Sequence, residues 1–191
     1  MRLFVAIEVG SGVQRAASKV IDDLKRRTEH VAPHARVTWV KTEQLHLTVQ
    51  FIGHVDDQLG EKIRTALALP LRIAPFDLTI VRTGTFPPKR PPRVIWAGFT
   101  TGVDHLLLVE REVRGRLDGL VSSTEERDYH PHLTLGRVKN PAGVRPAVLL
   151  EGFESAVFGV VRVDAVTLFE SRPSSSGPTY IPLGRAELAH V

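Results

Sequence analysis

The chain reads as an α+β protein with mainly antiparallel sheets, arranged as two lobes of one unit. Three observations lead there. Short runs with period-two apolar alternation and longer runs with helical apolar spacing occur together in both halves. A His-Leu-Thr sequence appears twice, in LHLTVQFIG at 45–53 and in PHLTLGRV at 131–138, as two related halves would have it. The Pro-rich run FPPKRPP at 86–92 falls near the midpoint, yet no linker separates independent domains, so residues 1–191 are expected to form one domain.

In chain order, residues 2–8 alternate as a strand. Ser11 then opens a helix with Val13, Ala16, Ala17, Val20, Ile21 and Leu24 on one face, and Pro33 closes it. Residues 36–40 and 46–52 read as strands, the second stopped by Gly53. Leu59, Ile63, Ala66 and Leu67 mark a second helix, closed by Pro70. A strand at 76–81 precedes the 86–92 loop. The second half follows with a strand at 93–99, a helix carrying Val103, Leu106, Leu107, Val113, Leu117 and Leu120, and a strand at 132–138. A short helix over 144–150, one strand over 160–169 and another over 179–183 complete the pattern. The loop SRPSSSGP lies between the last two strands.

Composition narrows the function. There is no cysteine, which removes disulfides, thiolate catalysis and cysteine-bound zinc. No apolar run approaches the roughly 20 residues of a membrane helix. The apolar stretch at the N-terminus is too short for a signal-peptide core, and the absence of cysteine makes a reducing cytoplasm the expected location. Lys and Arg total 25 against 21 Asp and Glu, for a net charge of +4. Arg supplies most of the positive charge, which suits an anionic substrate and equally suits a solvated surface.

The repeat carries the chemistry. On a strand, His46, Thr48 and Gln50 share one face while Leu47, Val49 and Phe51 share the other. His132 and Thr134 pair in the same way, opposite Leu133 and Leu135. A His beside a Thr is poor sheet-core material but sound anion chemistry. The hydroxyl donates to a phosphate oxygen, a neutral imidazole takes a proton, and an imidazolium gives one. Two such sets supply a base, an acid and two phosphate-oxygen donors.

Other readings compete. A histidine on a strand is commonly structural, and each motif alone would be read that way. His130 and His132 lie two apart, as metal ligands sometimes do, but Pro131 separates them and no Asp, Glu or Cys completes a set. His30, His34, His54, His105 and His190 sit in polar or helical contexts and read as surface residues. Ser174 to Ser176 lack a nucleophile elbow, and no glycine-rich phosphate loop with its lysine is present. A non-catalytic RNA-binding module would use Arg93, Arg137, Lys139 and Arg172 with Tyr129 and Phe51. Strict alternation, however, sends Phe51 and Arg137 to the face away from the histidines and makes Phe51 a core residue.

Beyond the motifs, the blocks RLFVAIE, WVKTEQLHLTVQFIG, PPRVIWAGF, YHPHLTLGRV and FESRPSSSGPTYIPL stand in order over nearly the whole chain. Together they resemble the 2H phosphoesterases, named for two His-x-Thr-x motifs. Within these they resemble the bacterial and archaeal RNA 2′,3′-cyclic phosphodiesterases, also called 2′-5′ RNA ligases. The resemblance implies a pseudo-twofold, bilobal fold with a central cleft lined by one motif strand from each lobe. It implies His46 as proton donor, His132 as proton acceptor, and Thr48 and Thr134 as phosphate-binding residues. Tyr129, Arg137 and Arg93 are candidate RNA contacts. The implied reaction hydrolyses a terminal 2′,3′-cyclic phosphate to a 2′-phosphomonoester without metal or other cofactor. A 5′-hydroxyl replacing water in the reverse sense would make a 2′-5′ linkage. The implied partner is RNA with a cyclic phosphate end, or a cyclic nucleotide, and a monomer is expected. Arg172-Pro173 stands where relatives often carry an apolar residue such as Leu, which bears on the end of that strand and not on the chemistry.

Overall fold

Residues 3–7 are buried on both faces of the sheet they enter, which makes this first strand the centre of one half of the molecule. The computed structural model describes residues 1–88, 91–121, 129–175 and 177–189. His190, Ser176 of the serine-rich loop, and Lys89 and Arg90 of the 86–92 loop lie outside the described residues. The strands are β1 (Arg2–Glu8), β2 (Arg36–Trp39), β3 (His46–His54), β4 (Phe76–Phe86), β5 (Val94–Thr101), β6 (Leu133–Asn140), β7 (Val157–Val163), β8 (Ala165–Arg172) and β9 (Thr179–Glu187). The helices are α1 (Ser11–Val31), α2 (Asp57–Ala66), α3 (Val103–Leu117) and the short α4 (Pro146–Leu149).

All pairings between named strands are antiparallel, in the order β7-β4-β5-β6-β3-β1-β8-β9, with β2 beside β6. The α+β class expected from the alternating patterns is the class observed. One wing holds β3, β1, β8 and β9, and the other holds β7, β4, β5, β6 and β2. The wings are not consecutive halves of the sequence. The 86–92 loop joins β4 to its neighbour β5 inside one wing, and the other wing is built from both ends of the chain.

Helices cover one side. α1 buries Val13, Ala17, Ile21, Leu24 and Thr28 and packs on β7 and β6. α2 is capped by Asp56, whose carboxylate accepts from the Leu59 amide at 2.7 Å, and it packs on α3, which lies against β3. The main core lies between helices and sheet and includes Leu3, Val5, Ile7, Leu47, Leu133 and Leu135.

Residues 160–169, expected as one strand, form parts of two. The chain breaks at Asp164, whose carbonyl accepts from the Leu188 amide and whose carboxylate meets Arg185 at 2.9 Å. β7 becomes an edge of one wing while β8 lies between β1 and β9 in the other. A continuous run of β-forming residues does not reveal such a crossing. β8 runs through Arg172 and stops before Pro173, so the unusual Arg-Pro leaves the strand intact, with Arg172 paired to Glu170 at 2.8 Å.

Candidate active site

The two motifs meet where the wings meet. Leu47 and Leu133 are antiparallel register partners, and both leucines point into the helix-covered core. Extending that register by one residue each way sets His46 across from Thr134 and Thr48 across from His132. All four motif side chains then project from the face opposite the core. His46 opens β3, whereas His132 directly precedes the first residue of β6.

Each imidazole is held the same way. His46 Nδ1 is 2.8 Å from the carbonyl of Gln44, and His132 Nδ1 is 2.8 Å from the carbonyl of His130. A carbonyl can only accept, so each Nδ1 carries the proton, and each Nε2 has no hydrogen-bond partner among the described residues. Rings complete the mounts. Phe4 and Tyr180 stand 4.9 and 5.0 Å from His46, and Phe86 stands edge-on 5.2 Å from His132. The hydroxyls of Thr48 and Thr134, both on half-buried residues, make no hydrogen bond to the described protein.

Both motif strands break the expected alternation, and at the same point. In β3, Ala6 pairs with Thr48, Val5 with Gln50 and Phe4 with Phe51, so extra residues enter after Thr48. In β6, Trp96 pairs with Thr134 and Ile95 with Gly136, so Leu135 is extra. A bulge reverses which residues point inward. Phe51 and Arg137, each five residues after its motif histidine, therefore return to the histidine side, while Ile52 and Val138 turn inward. The expectation that Phe51 belongs to the core is corrected: it is 36 % exposed, with the Arg2 guanidinium 5.0 Å from its ring centre. The expectation that Arg137 faces away is corrected in the same way.

Charge and burial tune the pair. Burial is the largest influence on both histidines and holds each below the ordinary imidazole range. The carbonyl bonds oppose it, and the positive charge of Arg137 pushes both further down. Arg137 thus acts on both motif histidines at once, although sequence alternation alone turns it away.

The remaining candidates fall elsewhere. Tyr129 is half-buried against the core, and its hydroxyl donates to the Thr48 carbonyl at 2.9 Å, tying the entry of β6 to β3. Burial, then Glu110, raises its pKa, so it remains a phenol. Arg93 is exposed, and its backbone bridges Phe86 and Val138. Lys139 is exposed, and Arg172 is engaged by Glu170. His130 and His132 do not nucleate a metal cluster: no group of three His, Asp or Glu suited to an ion occurs among the described residues. None of the helices among the described residues is long and apolar enough to cross a membrane.

Known proteins share this fold. The chain is 32% identical over 183 residues to the RNA 2′,3′-cyclic phosphodiesterase of Methanocaldococcus jannaschii, covering 94% of this chain and 96% of that one. It is 34% identical over 181 residues to the protein of the same name from Thermotoga maritima, covering 94% and 91%. Among solved structures, E. coli LigT complexed with 3′-AMP superposes with a TM-score of 0.73 at 25% identity, over 99% of this chain and 98% of that one. The model of the 2′-5′ RNA ligase superfamily matches residues 13–173, and with the paired motifs this places the chain in that superfamily.

Proposed function

We propose that this protein hydrolyses the 2′,3′-cyclic phosphate at the 3′ end of RNA to a 2′-phosphomonoester, with His46 as general acid and His132 as general base. The observation that carries the reading is the antiparallel meeting at Leu47 and Leu133, which gathers two free Nε2 atoms, two unengaged threonine hydroxyls and the charge of Arg137 on one face. The names of the relatives from M. jannaschii and T. maritima support the substrate.

Water attacks phosphorus and gives its proton to His132 Nε2. The bond from phosphorus to O3′ breaks, and O3′ takes a proton from His46 Nε2. Thr48 and Thr134 donate to the non-bridging oxygens, and the Arg137 guanidinium faces the charge that gathers there. The carbonyls of Gln44 and His130 fix both rings in one tautomer through the exchange. An arriving phosphate counters Arg137 and lifts both imidazole pKa values, which favours the imidazolium the acid step needs. Phe51, exposed on the same side, offers a flat surface to the terminal base.

The test is turnover of an RNA oligonucleotide ending in a 2′,3′-cyclic phosphate, with the product position read by phosphorus NMR. A 2′-monoester is expected. A 3′-monoester would reverse the leaving group and with it the roles of the histidines. Tight binding without turnover would make the protein an RNA-binding module.

A further inference from the structure

His46 is held on more sides than His132, and Gln44 accounts for the difference. Gln44 ends a single 3-10 turn, Thr42–Gln44, which packs against α1 and leads into Leu45, buried in the core. That anchorage fixes the direction of its backbone carbonyl, which accepts from His46 Nδ1 at 2.8 Å. Its side chain works on a different part of the chain. The carboxamide donates to the Pro178 carbonyl at 2.6 Å, across 134 residues of sequence. Pro178 stands two residues before Tyr180, whose ring meets the same imidazole edge-on at 5.0 Å.

Tyr180 belongs to the motif face. Its ring packs 5.0 Å from Phe4, which itself lies 4.9 Å from His46. Burial raises the pKa of its phenol, while Arg137 and then Arg2 pull it down, so the phenol lies in the field of the same guanidinium that acts on both histidines. Ring packing alone resists sliding poorly. A hydrogen bond from a half-buried amide resists it, because movement would part the Gln44 donor from its acceptor. His132 has no such brace. It takes its carbonyl bond from His130 and its ring contact from Phe86, and the His130 side chain makes no hydrogen bond among the described residues.

The two proton transfers differ in what they demand. A base meets a water, which can turn to suit it. An acid must meet a leaving oxygen held in place by ribose and phosphate, so a misdirected Nε2 costs the acid step more. We propose that Gln44 is a positioning residue for the proton donor: its carbonyl orients the His46 imidazole, and its carboxamide, through Pro178, keeps the Tyr180 ring against that imidazole. The proposal rests on the reading of His46 as general acid. One residue thus sets two sides of the acid's mount from a turn fixed in the core.

Three variants test it. Gln44→Met keeps the length of the side chain and loses the donor, Tyr180→Ala removes the ring, and Tyr180→Phe keeps it. Each is assayed on a nucleoside 2′,3′-cyclic phosphate and on a nitrophenyl phosphodiester, whose leaving group needs no proton, and the imidazole protons are followed by NMR. Gln44→Met is expected to lower kcat on the cyclic nucleotide, relative to the ester, on the order of tenfold with KM little changed, the effect of one hydrogen bond. Tyr180→Ala does the same, and the double variant falls no further, because both act through one ring. Tyr180→Phe retains the wild-type ratio. In Gln44→Met the His46 ring protons move toward their positions in Tyr180→Ala, and those of His132 stay in place. The proposal is overturned if Gln44→Met matches the wild type or slows both substrates alike. It is also overturned if the double variant shows the product of the two single losses, or if the His132 protons move as far as those of His46, which would mark a general loosening of the fold. If His46→Ala stays slow on the ester, the acid reading has failed first and the proposal falls with it.

Discussion

Leu47 and Leu133 are the register pair that joins β3 to β6 among the described residues, and the placement of His46 beside His132 depends on them. Both are fully buried, so a shift of either strand by one residue would expose a leucine and bury a histidine. The core thereby fixes the position of the two histidines on the opposite face.

Removing either imidazole should cost a general acid or base its share of the rate. His46→Ala and His132→Ala are each expected to slow cyclic-phosphate hydrolysis on the order of 10²–10⁴-fold. With a nitrophenyl phosphodiester, whose leaving group needs no proton, His46→Ala should recover much of its activity and His132→Ala should stay slow. Rescue of His132→Ala instead would exchange the two roles.

Two effects are expected of Arg137. Arg137→Gln is expected to lower kcat/KM on the order of 10²–10³-fold by removing a donor from the charged transition state. It should also raise the pKa of both His46 and His132 in the free protein, because Arg137 now depresses both. Imidazole proton shifts followed by NMR titration would show two upward movements. Unchanged titrations would place Arg137 outside the site.

Burial of the histidines has a stability consequence. Their folded pKa values lie below the ordinary 6.5, so the unfolded chain binds protons first as pH falls. Their contribution to stability is whole above pH 6.5, declines as pH drops from there toward the folded pKa values, and then levels off. Thermal melts of the wild type should therefore lose more between pH 7.5 and 5.5 than melts of the His46→Asn, His132→Asn double variant. Equal losses would disprove the depression.

Tyr129→Phe leaves the Thr48 carbonyl without its donor. The expected cost is about 1–3 kcal/mol, the price of an orphaned, partly buried acceptor. At this chain length each kcal/mol lowers Tm by about 2–4 °C. Calorimetry that finds no change would mean that water replaces the phenol.

Activity on the cyclic nucleotide should survive exhaustive chelation, because the proposed proton transfers and charge stabilisation use only side chains of the chain. Loss on EDTA treatment, restored by one divalent ion, would overturn that scheme.

The sequence by itself determined what depends on local periodicity and residue chemistry: most of the strands and helices, the α+β class, and the inward leucines and outward His and Thr of both motifs. Side-chain alternation and helical spacing are properties of neighbours along the chain, so they are legible without a fold. It did not determine what depends on pairing. The break at Asp164 sends two strands to opposite wings, and the two ends of the chain build one wing together. The bulges matter most: an inserted residue is defined only against a partner strand, so a single strand read alone gives the wrong side to everything beyond it. That is why alternation alone makes Phe51 core and turns Arg137 away, whereas pairing with Phe4 and Val94 returns both to the histidines.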